Sequence, residues 1–326
     1  MKPTCRMLKW ARLLLLVILA NRATAQEEMP AAWPRQFHSP APAVKAIPGN
    51  DALWRWQVES LRIHSTQSIP PRELQDLART CHSLMALLKH LPLSLYHPPV
   101  EPLIIITPNQ EAHVRLGAPE LSAGYYDGRN SRLLIRGDQL LTPANGTSRL
   151  SPLVLDNPLL IHEMTHLAMH RSLRGLEPWL SEGLAEYFAT SYAGEGRFRF
   201  DQLTHRIPQR ILRFYPQETR PTLRLPSLAT FIAFDSKGWT AHLKSLQPEE
   251  RYQPYAAALL LTHYVLEGAE RRTALDSHLR QLQAPSSRRQ RRTARLSLEP
   301  SEVIERKLIN YWQSRGLTLH FDESKD

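Results

Sequence analysis

Between positions 74 and 88 the apolar residues fall at Leu74, Leu77, Ala78, Cys81, Leu84, Met85 and Leu88, the spacing of one helix face. This pattern predicts a helix over Pro70 to Leu91, with proline in its first turn, where a missing N–H does no harm. Just before it, "LWRWQVESLRIHS" (Leu53 to Ser65) alternates apolar and polar positions as a strand does. Two short apolar runs follow: "EPLIIITP" (Glu101 to Pro108), bounded by prolines, and "RLLIR" (Arg132 to Arg136), which comes after the turn-rich "GYYDGRN". Beyond them a period of 3.6 fits better than a period of 2, over residues 157 to 173, 179 to 193, 252 to 267, 271 to 283 and 299 to 315. The expected fold class is α+β, with a small mixed β-sheet packed on the helix that begins near residue 157 and a mostly helical C-terminal lobe. Within a domain spanning residues 51–326, the α/β lobe covers 51–175 and the helical lobe 176–326.

The N-terminus changes where this domain is expected to work. Lys2, Arg6, Lys9 and Arg12 precede the apolar run Leu13 to Ala20, and Ala23-Thr24-Ala25 supplies small residues for cleavage, so residues 1–25 read as a secretory signal. The apolar run is well short of the roughly 20 residues that a spanning helix needs, and no second long run follows. The mature chain is therefore expected to be exported, periplasmic or extracellular, without a transmembrane span. Residues 26–50 are rich in Pro and Ala and read as an extended leader.

Of the chain's formal charge of +10, five positive charges (Lys2, Arg6, Lys9, Arg12, Arg22) leave with the signal, and much of the remaining excess sits in "SSRRQRRTAR" (Ser286 to Arg295). That block reads as a solvated linker with a candidate electrostatic contact to acidic envelope surfaces. It lacks the aromatic interleaving of a nucleic-acid site, so no nucleic-acid partner is expected. Cys5 is lost with the signal, and Cys81, alone in the mature chain, has the spacing of a core residue. Asn145-Gly146-Thr147 matches a glycosylation acceptor only for a eukaryotic secretory route.

The helix beginning near residue 157 carries the candidate chemistry. "LLIHEMTHLAMHRSL" (residues 159–173) sets His162, Glu163 and His166 into an apolar run. His162 and His166, four residues apart, project from one face and can reach one ion, whereas Glu163 is offset to lie beside a ligand of that ion. An H-E-x-x-H pattern arises by chance about 0.06 times in a chain of this composition. Zinc needs a third protein ligand, and Glu182 fits: "RGLEP" (Arg174 to Pro178) would end one helix and start another that returns Glu182 toward the histidines. Glu186, one turn later, reads either as an acceptor for the outer N–H of a ligating histidine or as a solvent-facing acid. A third histidine at position 172 is excluded by Ser172, and His170 reads as packed or solvated.

"HEMTH" followed by "PWLSEGLAEYF" resembles the gluzincin group of zinc metallopeptidases, particularly the bacterial peptidase-MA-like families of exported proteins. The resemblance is strongest over residues 157–190 and extends more weakly to "AGYYDGRNSRLLIRGD" and "YAAALLLTHYVLEG". It implies that His162, His166 and Glu182 bind Zn²⁺ and that Glu163 is the general base, acting on a peptide or protein substrate. It also implies an oxyanion donor from the helical lobe. Tyr255 is the candidate, with His263 and Tyr252 competing for the role. Related enzymes bind substrate along a sheet edge, which the resemblance places at Gly124-Tyr125-Tyr126, although "DGRN" beside it is also plain turn chemistry. The leading expectation is an exported zinc metallopeptidase. Two alternatives are a zinc-stabilised envelope scaffold that holds a peptide or glycan without cutting it, and a structural protein in which H-E-x-x-H is fortuitous.

Overall fold

A computed structural model describes residues 32–49, 53–143, 153–215, 222–284 and 295–323. The signal segment, its cleavage point, Asn145-Gly146-Thr147 and all of Ser286 to Arg295 except its last residue lie outside them. Residues from Pro34 onward form one compact unit.

The run Leu53 to Ser65, expected as one strand, is a hairpin. β3 (Trp54–Val58) pairs antiparallel with β4 (Leu61–Ser65), Val58 opposite Leu61. The turn holds Glu59 at φ 51°, a left-handed conformation usually announced by Gly or Asn, so the alternation ran through it without a visible break. Residues placed in the leader also contribute strands: β1 (Gln36–His38) pairs with β10 (Arg197–Arg199), and β2 (Lys45–Ala46) with β3.

The main sheet has the order β2-β3-β4-β5-β7-β6, where β5 is Leu103–Thr107, β6 Gly124–Asp127 and β7 Arg132–Arg136. β4, β5 and β7 are parallel and the rest antiparallel, so the sheet is mixed and the class is α+β. The apolar run of β5 suits an interior strand covered on both faces. Helix α1 (Pro71–His90) makes the crossover from β4 to β5, and its apolar face is buried as the spacing predicts. Cys81 lies fully buried on it, and burial pushes its thiol pKa up, so the thiol stays protonated.

Two short helices, α2 (Gln110–Arg115) and α3 (Gly137–Leu140), and the antiparallel pair β8 (Leu141–Pro143) and β9 (Leu153–Leu155) lead into α4 (Asn157–Ala168). Asp156 caps α4 by accepting from Leu159 N at 3.0 Å, and Pro158 sits in the first turn. Met169 ends α4 earlier than the periodicity suggested, and α5 (His170–Leu173) follows. α4 packs on α1, on β6 and β7, and on α6 (Pro178–Ser191).

The rest is mostly helical: α7 (Leu203–Leu212), α8 (Leu228–Ala233), α9 (Ser236–Ser245), α10 (Gln253–Glu267), α11 (Ala269–Gln283) and α12 (Ser301–Gln313). It also holds a parallel pair, β11 (Thr222–Leu225) with β12 (Thr318–Phe321), that the sequence reading missed. α6 lies against α10 at Gly183, where an added Cβ would overlap Thr262 Oγ1 and Ala258 O. Among the described residues no helix is long and apolar enough to cross a membrane.

Candidate metal centre

Helical spacing brings the two imidazoles of α4 together: His162 Nε2 and His166 Nε2 are 3.3 Å apart. The turn after α5 reverses the chain, and α6 brings Glu182 to the same point. Its Oε2 lies 3.2 Å from His162 Nε2 and 3.6 Å from His166 Nε2. Among the described residues these three form the one cluster of metal-ligand type.

The distances allow a test of fit. A tetrahedral ion with bonds of about 2.0–2.1 Å has ligand-to-ligand edges of about 3.3–3.4 Å. The three separations of 3.3, 3.2 and 3.6 Å match those edges. The outer nitrogens reinforce the match. His162 Nδ1 lies 3.0 Å from Glu186 Oε1 and donates to it, so a neutral His162 ring presents its Nε2 lone pair inward. His166 Nδ1 lies 3.2 Å from Ser181 Oγ, which can accept its proton and so leave Nε2 of that ring as the inward acceptor. With the rings neutral, two imidazole nitrogens and one carboxylate oxygen converge on one point, a donor set that fits a divalent cation.

Glu186 is therefore the buried partner of a candidate ligand, not a solvent-facing acid. It is itself held by residues that the sequence reading missed or assigned differently. Arg210 of α7 donates Nε to Oε2 at 3.1 Å and Nη2 to Oε1 at 3.3 Å, while Tyr252 donates its hydroxyl to Oε2 at 2.9 Å. Burial alone would raise the Glu186 pKa, but Arg210 and His162 outweigh it and bring the value to about 2. Glu182 is likewise held low, its burial outweighed by His166 and His162. For His162, burial opposes protonation, yet Glu182 and Glu186 at its two nitrogens hold it well above its ordinary value.

Glu163 lies in the wall of the same cleft as the two histidines and Glu182, against the edge strand β6. A Cβ at Gly124 would sit 2.6 Å from both Glu163 Cδ and Oε1, so only glycine lets the carboxyl lie there. Burial raises its pKa, with Glu182 and Glu186 adding to the rise and the two histidines opposing it.

Gly124, Tyr125 and Tyr126 lie on β6 at the open edge of the sheet, alongside His162 and Glu163 in the wall of one cleft. Arg136 N donates to Ala123 O at 2.9 Å, and antiparallel hydrogen-bonded pairs alternate along the register. Tyr125 and Asp127 thus turn their backbone groups to β7, and Gly124 and Tyr126 turn theirs to the open side.

Of the three oxyanion candidates, Tyr255 lines this cleft, its ring centroid 6.3 Å from that of His162. Burial, with help from Glu182, Glu163 and Glu186, pushes its pKa up and keeps the hydroxyl protonated. Tyr252 borders the cleft, but its hydroxyl is committed to Glu186. His263 does not reach the site. It packs among Tyr187, Tyr311 and Trp312, with its pKa lowered to about 4, first by burial and then by Arg315. His170 lies outside the cluster, 2.5 Å from Tyr126 OH through Nδ1.

No model of a known protein family matches the chain, and no curated protein matches it. The arrangement of the site is therefore what carries a functional reading.

Proposed function

We propose that this protein is an exported zinc-dependent metallopeptidase of gluzincin type that hydrolyses peptide bonds in a cleft between the edge strand β6 and the helices α4, α6 and α10. The observation that carries the reading is the meeting of His162 Nε2, His166 Nε2 and Glu182 Oε2 at the edge lengths of a tetrahedral ion, with Glu163 beside them. Two imidazoles and one carboxylate suit zinc and leave a coordination position for chemistry. Bound there, zinc supplies Lewis acidity, making water nucleophilic near neutral pH and polarising an amide carbonyl.

The chain's own residues do the rest. Glu163, whose pKa is raised by burial, takes a proton from the attacking water and returns it to the departing amine nitrogen. The protonated Tyr255 hydroxyl is assigned as donor to the developing oxyanion. The outward backbone groups of Gly124 and Tyr126 bind the substrate as an added strand, which fixes the scissile bond without reading its side chains. Glu186, clamped by Arg210 and Tyr252, holds His162 in the tautomer that presents Nε2.

The test combines metal content with cleavage of a peptide library. Wild type is expected to bind one zinc per chain and cut peptides; His162→Ala should lose both properties, and Glu163→Gln should keep the zinc and lose cleavage. Peptide binding without cleavage in wild type and Glu163→Gln alike would favour a scaffold. A wild-type chain that binds no zinc would make the motif fortuitous.

A further inference from the structure

Arg210 also lines a second cavity, of about 390 Å³, between the first turn of α4, the C-terminal end of α6 and α7. Arg206 and Arg210 of α7 and Arg213 just past its C-terminal end, spaced i, i+4 and i+7, all line it, and among the described residues no carboxylate does. Arg210 is matched by Glu186. Arg206 donates to two carbonyls at the end of α6, Thr190 O at 2.8 Å and Tyr192 O, and neither carries a full charge. Neither Arg206 nor Arg213 forms an ion pair among the described residues. Burial lowers the pKa of Arg206, and Arg213 and Arg199 then lower it further by like-charge repulsion. Gln209 and Asn157 add amide groups to the same wall.

Two guanidiniums that repel each other across a donor-rich cavity gain most from an acceptor-rich anion of compact size. We propose that this cavity is a binding site for a phosphate-class oxyanion, with Arg206 as its floor and Arg213 as its exposed rim. Bidentate guanidinium geometry suits the oxygens of such a group. Arg210 borders both this cavity and the cleft that holds His162 and Glu163, so the anion binds next to the clamp on Glu186. The site does not depend on the peptidase reading, because none of its anion-facing groups is a candidate metal ligand or base.

The experiment is calorimetric titration of the zinc-treated intact protein with inorganic phosphate, against chloride at matched ionic strength. A second arm measures sedimentation with phosphatidylcholine vesicles, with and without phosphatidic acid. Saturable phosphate binding is expected in wild type, retained in His162→Ala and weakened about tenfold or more in Arg213→Gln. Arg213 is exposed, so its replacement leaves the fold intact where Arg206→Gln would also uncap α6. Arg213-dependent binding to phosphatidic acid vesicles would identify a lipid headgroup as the source of the phosphate, and binding of the free ion alone would identify a soluble one. Both support the site. Absence of binding in both arms, equal binding by Arg213→Gln, or binding lost with His162 but not with Arg213 would overturn it.

Discussion

Gly124→Ala separates the candidate base from the candidate metal ligands with the smallest change available. The new methyl group would overlap Glu163 Cγ most closely and stand 2.6 Å from Cδ and Oε1, where ordinary contact begins near 3.4 Å, so the side chain must retreat by about 1 Å. A displacement on the order of 1 Å costs roughly 10²-fold in rate, or about 2.7 kcal/mol of transition-state stabilisation. The fold should tolerate the change. Gly124 has no positive φ, and relief of glycine's entropy cost, about 0.5–1 kcal/mol, offsets pushing aside a side chain that can rotate. Backbone pairing to a substrate strand is unaffected. The expected result is a fall of about 10²-fold in kcat/KM, with zinc content and thermal midpoint close to wild type. Adding Glu163→Ala should cost nothing further beyond the loss in Glu163→Ala alone, because both changes remove one function. Full activity in Gly124→Ala, or zinc lost together with activity, would refute the assignment of Glu163 as base.

Three further outcomes follow from neighbouring groups. Arg210→Met leaves the Glu186 carboxylate buried without its counter-charge and should cost about 3 kcal/mol in chemical denaturation, since Tyr252 and His162 still bond to it; a cost near zero would mean that the clamp is idle. Tyr255→Phe should lower kcat about 10²-fold with little change in KM, whereas Tyr252→Phe should leave kcat within a few-fold; the reverse ranking would exchange their roles. Glu177, at the start of α6, is buried and accepts from Leu296 N at 2.9 Å, with His278 Nε2 at 3.2 Å. Burial opposes its ionisation, but these bonds outweigh it and hold the pKa below the ordinary 4.5. Its contribution is therefore present above pH 4.5 and lost as pH falls below that value. Denaturation against pH should show Glu177→Gln less stable than wild type near pH 7 and the gap closing in acid. A gap that widens in acid would contradict the sign.

How much of the fold the sequence disclosed follows from what a period can report. The face of α1 and the apolar run of β5 lie in the core, and burial on one side or on both leaves a trace at every residue. The β3–β4 hairpin stayed hidden because Glu59 adopts a left-handed conformation without the residues that usually signal it. β1 and β2 stayed hidden because strands of three and two residues hold too few positions for any alternation. β11 and β12 pair across almost a hundred residues, and nothing local in either segment names the other.

The site divides along the same line. His162 and His166 belong to one helix, so their meeting is fixed by spacing, and the caps at Asp156 and Pro158 make that helix legible. Glu182 was nameable only because zinc chemistry demands a third ligand; bringing it within reach depends on how closely α6 sits between α4 and α10. That closeness rests on Gly183, whose missing side chain admits Thr262 and the Ala258 carbonyl. The same holds for Gly124 and Glu163. Both glycines act through what they leave open, and a reading that looks for donors, acceptors and apolar faces passes over them. Arg210 was missed for a complementary reason. Its partner lies 24 residues away on another helix, and an arginine on an amphipathic surface helix looks like any solvated charge until tertiary packing turns it inward onto Glu186.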